Sequence, residues 1–232
     1  MHEGWILQRT IQEMVCRIML IEQLMIPFFE GTLVTLRVFA VTLCLSLPFS
    51  VLLASIQTLN IKPLNAFFRL FVLIEGGTPL LLQMMFIFFG LPYMGITLDR
   101  ETSIYVAFVL NYTAYYMEIL RGGIQSVDVG QFEASQVLGY SKSAAFLRII
   151  LPQAFQSCLP SIGNEVLSLI KDTSLITVLG ASELLKAGRA AVNTYATAIP
   201  FIYVGIIYLI LTTIAEISIK TIEKKMNVSL KE

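Results

Sequence analysis

Long apolar segments constrain the fold of this chain more than any other feature of its sequence. A membrane-spanning helix needs about 20 predominantly apolar residues. Five segments satisfy or approach this requirement: Ile26–Ile56, Phe67–Leu91, Ser103–Leu120, Ala154–Ile170 and Ala198–Ile219. The fourth segment is the weakest, because it contains Pro160, Asn164 and Glu165. We therefore expect an all-α membrane protein with about five transmembrane helices.

The composition excludes other classes of protein. Of the 232 residues, 56% are hydrophobic and only 14% are charged, whereas about 25% of the residues of a soluble domain are charged. Sixteen basic side chains are balanced by sixteen acidic ones, which argues against nucleic acid as a partner. The three cysteines and the single histidine lack the spacing of a disulfide framework or a metal site.

Both ends of the chain differ from the predicted transmembrane domain, residues 26–222. Within the N-terminal segment, residues 1–25, apolar side chains from Leu7 to Ile18 share one helical face and polar ones the other. This pattern predicts an amphipathic helix lying on the membrane surface, with a soluble cap as the alternative. Residues 223–232 form a polar tail.

The distribution of lysine and arginine predicts the orientation in the membrane. With five spans, alternate loops lie on the same side, and the side richer in positive charge is cytoplasmic. That side carries Lys62, Arg69, Arg121, Lys142, Arg148 and the four lysines of the C-terminal region. The N-terminus is therefore predicted outside and the C-terminus in the cytoplasm. The long polar loop of residues 121–152 is also predicted to be cytoplasmic.

The sequence of this loop predicts two short helices separated by a turn. Ser126 or Asp128 is suited to cap the first helix, and Gly139 suits the position after its end, where φ is positive. Ser141 is suited to cap the second helix, which we expect to end before Pro152 at the re-entry into the membrane.

The spacing of residues in this loop resembles the EAA loop of ABC-importer permeases. The matching positions are Glu133, Ala134, Ser135, Gly139, Ile149, Leu151 and Pro152. Serine replaces the alanine usual at the third position and is small enough to allow the same close approach. Other motifs resemble the polar amino-acid branch of these permeases: GTLVTL (Gly31–Leu36), GTPLLLQ (Gly77–Gln83), RGGIQSV (Arg121–Val127), GNE (Gly163–Glu165) and KDTSL (Lys171–Leu175).

The resemblance implies a type I importer (MetI-like) fold in the bacterial cytoplasmic membrane. It also implies that transport requires several different subunits. The EAA loop would dock two cytoplasmic ATPases, which would hold ATP and Mg. A second permease subunit, identical or paralogous, would complete the pathway, and an extracytoplasmic binding protein would deliver the amino acid. The chain itself has no P-loop sequence for a nucleotide, so no cofactor and no enzymatic role are expected for it.

Polar residues in the fourth predicted span are candidates for the substrate path. Ser161, Glu165, Ser168 and Asp172 recur at helical spacing on one face, and Asn164 and Lys171 flank them. We expect this stripe to point into the bundle, because charges inside a membrane are costly unless paired or hydrated. The acidic pair would bind the ammonium or a cationic side chain of the substrate. Alternatively, these groups form ion pairs that only hold helices or subunits together.

Two further segments are of interest. The second span is predicted to break near Glu75 and Thr78, beside Pro79. A helix end at this break would face the same substrate path. Alternatively, the segment contains a kink that is needed only for packing. Residues 182–193 predict an external amphipathic helix capped by Ser182.

Two other function classes are compatible with a polar residue inside a membrane span. An ion-coupled secondary carrier would use Glu165 and Asp172 as titrating groups. Such a carrier would not need the spacing between Glu133 and Pro152. It would also be expected to show an internal repeat. A non-transporting membrane scaffold would gain nothing from intramembrane carboxylates.

Overall fold

The computed structural model is all-helical in the part of the chain that it describes: the backbone of residues 2–58 and 61–229, and the side chains of residues 23–58 and 61–226. The α-helices are α1 (His2–Gln57), α2 (Lys62–Gly77), α3 (Leu80–Met85), α4 (Arg100–Ser126), α5 (Val129–Val137), α6 (Lys142–Ala145), α7 (Leu151–Asp172), α8 (Leu184–Tyr195) and α9 (Ile199–Ser229). Single turns of π-helix follow α3 (Phe86–Gly90) and α6 (Phe146–Ile150), and 3₁₀ segments cover Leu91–Met94 and Thr173–Leu179.

Helix α4 forms the centre of the bundle. It packs against α1, α2, α3 and α7, and its side chains Phe108, Tyr112, Tyr116, Met117 and Leu120 are at most 1% exposed. The helix begins after Asp99, whose carboxylate accepts hydrogen bonds from the backbone N–H groups of Glu101 and Thr102. Hydrogen bonding with Thr102 lowers the pKa of the Asp99 carboxyl, since these bonds favour its charged form.

Within the described part of the chain, two helices are long and apolar enough to cross a membrane on length and composition alone. They are the stretch Gln23–Gln57 of α1 and the stretch Ile199–Met226 of α9. The predicted second span is broken as expected: α2 and the helical segment from Leu80 to Met94 form a pair bent by 101°. The predicted third and fourth spans lie within α4 and α7, which carry more polar side chains.

The outer faces of α1, α2 and α9 are apolar and exposed. Phe29 is 66% exposed, Leu73 69% and Leu209 65%. A continuous apolar surface of this kind is unsuited to water and suited to lipid or to another membrane subunit.

The backbone shows no helix boundary at either end of the predicted transmembrane domain. Helix α1 runs unbroken through residues 25 and 26, and α9 continues from residue 222 to Ser229. The faces of the predicted N-terminal amphipathic segment fall on residues 1–22, whose side chains lie outside the described part of the chain, so that assignment stays a prediction.

Candidate functional site: a coupling segment and a polar stripe

The loop between α4 and α7 contains two helices joined by a tight turn, as predicted. Asp128 caps α5, and its Oδ1 accepts a hydrogen bond from the Gly130 N–H at 2.6 Å. At the other end, Gly139 has φ +77°. The N–H of Tyr140 donates to the Ser135 carbonyl and the N–H of Gly139 to the Gln136 carbonyl, both at 3.0 Å. This pattern is a Schellman motif, which gives α5 a defined end.

The second helix of the loop does not end before Pro152, and that prediction is wrong. Ser141 caps α6 by accepting a hydrogen bond from the Ala144 N–H at 3.3 Å, but helical backbone then continues through Asp172. The Leu151 N–H donates to the Phe146 carbonyl, five residues back. This wider turn accommodates the proline, which lacks an N–H and would otherwise crowd the preceding turn. We call residues 128–152 the coupling segment.

The coupling segment exposes apolar side chains in a polar part of the sequence. Val137 is 87% exposed, Leu138 72% and Leu147 59%. Of the seven residues that match the EAA pattern, Ser135 is buried, Ile149 and Leu151 are half-buried, and Glu133, Ala134, Gly139 and Pro152 are exposed. The Ser135 hydroxyl donates to the Phe132 carbonyl at 2.7 Å. The segment therefore has a folded interior and an outward surface available to a partner.

The polar stripe on α7 lies at the surface of the subunit, which differs from the prediction that it points into the bundle. Ser161, Asn164 and Lys171 are exposed, and Glu165, Ser168 and Asp172 are half-buried. The adjacent face of α7, including Ile162, Val166, Leu169 and Ile170, is buried in the core of the chain. Within one subunit the apolar face has the stronger tendency for burial, so the stripe is left for a cavity or a second subunit.

A tyrosine of α4 contacts one acidic residue of this stripe. The Tyr112 hydroxyl donates to Asp172 Oδ2 at 2.8 Å. The Tyr115 ring lies beside the residue after Glu75, since its Cε1 is 4.0 Å from the position that a Cβ on Gly76 would occupy. The structure thus brings the segment that contains Glu75 and the helix that carries Glu165 and Asp172, which are far apart in sequence, to neighbouring tyrosines of α4.

A hydrogen-bonded network occupies the break between α2 and α3. The Gln83 side-chain amide donates to the Glu75 carbonyl at 2.8 Å and to the Thr78 hydroxyl at 2.9 Å. Asn111, which is 2% exposed, donates to the Glu75 carbonyl at 2.9 Å and to Gln83 Oε1 at 3.0 Å. The network satisfies polar groups that the interrupted helix leaves free.

Sequence reasoning missed Asn111 and Tyr112 as parts of this site. An amide inside an apolar helix is a signal that could have identified Asn111. Tyr112 carries no such signal, because Tyr105, Tyr115 and Tyr116 occupy the same helix and only packing distinguishes them. Among residues 23–58 and 61–226, no three histidine, cysteine or acidic side chains are grouped as metal ligands.

Helix α8 is capped by Glu183, and the prediction that Ser182 caps it is wrong. The Glu183 carboxylate accepts hydrogen bonds from the N–H groups of Leu185 and Lys186, each at 2.6 Å, and from the Tyr208 hydroxyl at 3.1 Å. The side chain is completely buried. A Cβ atom on Gly31 would lie 2.8 Å from the Leu184 Cα, so this glycine permits the close approach of α1 to the start of α8.

Comparisons with known proteins agree with this architecture. The arginine transport system permease protein ArtQ of Bacillus subtilis is 34% identical over 204 residues, covering 87% of this chain and 93% of that protein. The L-cystine transport system permease protein TcyB of the same organism is 36% identical over 189 residues, with 79% and 81% coverage. A crystal structure of an amino acid ABC transporter with histidines matches 92% of this chain and 97% of that one, with a TM-score of 0.79 and 28% identity.

A family model covers most of the chain. Residues 46–228 match the model described as "Binding-protein-dependent transport system inner membrane component". The matched range contains the whole coupling segment and the polar stripe of α7. This chain therefore belongs to the family of inner membrane components of binding-protein-dependent transport systems, and it is a non-catalytic transporter subunit.

Proposed function

We propose that the chain is the transmembrane subunit of an ATP-driven importer that moves a polar amino acid across the bacterial cytoplasmic membrane. The relatives named above are permeases for arginine and cystine, and the matched crystal structure is of an amino acid transporter. The observation that carries the proposal is the coupling segment. Its capped helices expose Val137 and Leu138 at the site where the sequence matches the EAA pattern.

The coupling segment would transmit the motion of a separate ATPase. Because α6, the π turn and α7 are continuous, force applied near Gly139 would act directly on the helix that bears Glu165 and Asp172. Closure of two ATPases around ATP would thereby rock two permease subunits between outward-facing and inward-facing states. ATP and Mg would be held by the ATPases.

The membrane arrangement that we propose has five spans, with the N-terminus outside and the C-terminus in the cytoplasm. The spans would be α1, the bent pair α2 and α3, α4, α7 and α9. In this arrangement the coupling segment faces the cytoplasm and α8 faces the extracytoplasmic binding protein.

The substrate path would run along the stripe of α7, between this subunit and a second copy or a paralogue. Its location at the surface of the single chain supports this arrangement, because a second subunit would enclose it. Glu165 and Asp172 would bind the ammonium or a cationic side chain, and Asn164, Ser161 and Ser168 would supply hydrogen bonds. Lys171 would bind a carboxylate, while Glu75 and Thr78 would shape the wall at the helix break.

Reconstitution in liposomes tests the proposal. The complex with its ATPases and binding protein should take up labelled amino acid only when ATP is present on the ATPase side. Uptake driven by a proton or sodium gradient without any ATPase would instead identify a secondary carrier, and no uptake under either condition would favour a scaffold.

Charge-neutral substitutions test the substrate path separately. Glu165→Gln and Asp172→Asn should reduce uptake and the stimulation of ATPase activity by the loaded binding protein, because a cationic group loses its counter-charge. Glu216→Gln, an exposed substitution on α9 away from the stripe, is the matched control. Unchanged uptake and unchanged substrate preference in both stripe variants would remove these residues from the path.

A further inference from the structure

A cavity of about 560 Å³ lies between the end of α1, residues 65–73 of α2 and the end of α4. Its lining includes Gln57 of α1, Asn65, Arg69 and Leu73 of α2, and Glu118 and Arg121 of α4. It is separate from the polar stripe of α7. It opens at the end of the bundle from which α4 leads into the coupling segment.

Hydrogen-bond donors and positive charge are concentrated in this cavity. Arg121 forms an ion pair with Glu118, and its Nε lies 2.9 Å from Glu118 Oε2. Arg69 forms no ion pair within the part of the chain that the structure describes, so one positive charge in the cavity is uncompensated. The side chain of Arg121 remains 37% exposed, which leaves part of its guanidinium free to donate to a further group.

Two side-chain amides add to the polar part of the lining. The amide oxygens of Gln57 and Asn65 are buried and accept no hydrogen bond within the part of the chain that the structure describes. Neither amide nitrogen has a hydrogen-bond partner among residues 23–58 and 61–226. A phosphate group accepts hydrogen bonds through several oxygen atoms and would therefore suit the two guanidinium groups. The two amide oxygens need a donor instead, such as a hydroxyl of the same headgroup.

The remaining wall of the cavity is apolar and continues onto the outer surface of α2. Phe68 and Ala54 are 4% and 2% exposed, respectively, and form the inner side. Leu73, also in the lining, is 69% exposed, and Leu70 beside it is 53% exposed. A soluble anion would leave this apolar wall in contact with water. A phospholipid would cover it with an acyl chain while its phosphate occupied the polar part.

We propose that this cavity binds the headgroup of an anionic phospholipid, with the phosphate between Arg69 and Arg121 and an acyl chain along Leu70 and Leu73. The Glu118 carboxylate limits the affinity, because it neutralises Arg121 and repels the phosphate. The site makes the permease sensitive to the content of anionic lipid at this end of the bundle. The proposal is independent of the cargo and of the path along α7.

The test uses the intact transporter complex in nanodiscs that contain phosphatidylcholine with a varied fraction of phosphatidylglycerol. Native mass spectrometry after release into mild detergent measures the phosphatidylglycerol retained per permease. Arg69→Gln should weaken retention about fivefold, as expected for the loss of one basic residue at a membrane surface. Glu118→Gln should strengthen retention, because it releases Arg121 from its ion pair.

Opposite effects of these two variants distinguish a lipid site from a structural one, since a fold defect would weaken retention in both. Lys225→Gln, an exposed lysine near the end of α9, is the control and should leave retention unchanged. Equal retention in wild type, Arg69→Gln and Glu118→Gln would overturn the proposal. A competition experiment gives a second test, in which inorganic phosphate or excess phosphatidylglycerol is added to displace the bound lipid. If inorganic phosphate displaced the lipid as completely as phosphatidylglycerol does, the proposal would also be overturned, because the site would then bind a soluble anion.

Discussion

At residue 139 the backbone, rather than any neighbouring side chain, restricts the choice of amino acid. Gly139 has φ +77°, and no heavy atom lies within 4 Å of the position that a Cβ would occupy. Alanine at this position would therefore meet no steric clash with its surroundings. Its cost would come only from the left-handed conformation, which is unfavourable by about 1–2 kcal/mol for most L-residues and less so for asparagine.

A substitution series at this position should consequently follow backbone preference and not size. We expect ATPase association to decrease in the order Gly139, Gly139→Asn, Gly139→Ala and Gly139→Val. A cost of about 1 kcal/mol for alanine corresponds to about fivefold weaker association. Co-purification of the ATPase with each variant measures the effect.

Gly122→Ala is the matched control for this series. Gly122 also has open space at its Cβ position, but it lies within α4, where alanine is favoured over glycine. Association as strong in Gly139→Val as in the wild type would show that the turn is not needed for coupling.

Asn111 illustrates a residue whose importance comes from its buried partners. Replacing it with leucine of similar size removes both hydrogen bonds that it donates and leaves Gln83 Oε1 without this donor. We expect Asn111→Leu to destabilise the purified permease by about 1–3 kcal/mol, measured by thermal unfolding. Asn193→Leu at an exposed position of α8 should stay within about 0.5 kcal/mol. Equal unfolding temperatures for the two variants would contradict the role of the network.

Among the helices, two of the prolines that do not end the helical path lie just after a π turn. A π turn precedes Leu151-Pro152 and another precedes Leu91-Pro92. In both, the leucine N–H donates to a carbonyl five residues earlier, Phe146 or Phe86. The extra residue in the turn gives the proline ring the space that a regular α-helical turn denies it. This is why proline alone was a misleading signal for the end of the second coupling helix.

Helix α8 begins at a single buried cap, which also accepts a hydrogen bond from α9. Glu183→Ala removes the acceptor for two N–H groups of the first turn and for the Tyr208 hydroxyl. We expect a loss of about 1–2 kcal/mol in the local stability of α8, seen as faster hydrogen exchange at Leu185 and Lys186. Ser182→Ala is the control and should exchange like the wild type, because Ser182 is not the cap. No acceleration in Glu183→Ala would contradict the importance of this cap.

For the whole molecule, the proposed topology assigns two exposed segments to opposite sides of the membrane. Tyr93 is 94% exposed before α4, and Val137 is 87% exposed in the coupling segment. In a background lacking Cys16, Cys44 and Cys158, Tyr93→Cys should react with a membrane-impermeant maleimide added to intact cells. Val137→Cys should react only after the membrane is permeabilised. The reverse pattern would invert the topology, and labelling of both from outside would contradict the five-span arrangement.

Some properties of this protein follow from local sequence alone. The apolar segments indicated a helical membrane protein, because a helix of sufficient length satisfies its own backbone inside lipid. The positions of Asp128, Gly139 and Ser141 indicated the ends of the coupling helices, since caps depend on residues close in sequence. The spacing from Glu133 to Pro152 indicated the family, which the match over residues 46–228 confirms.

The tertiary structure decided those properties that depend on contacts between distant segments. The orientation of α7 is one, because both of its faces are compatible with a helix and packing against α4 selects the apolar face for burial. Three further properties of this kind are the proximity of Tyr115 to the segment that contains Glu75, the network around Asn111, and the capping of α8 by Glu183 instead of Ser182. Each results from helices separated by tens of residues, and a local pattern carries no information about which of them will meet.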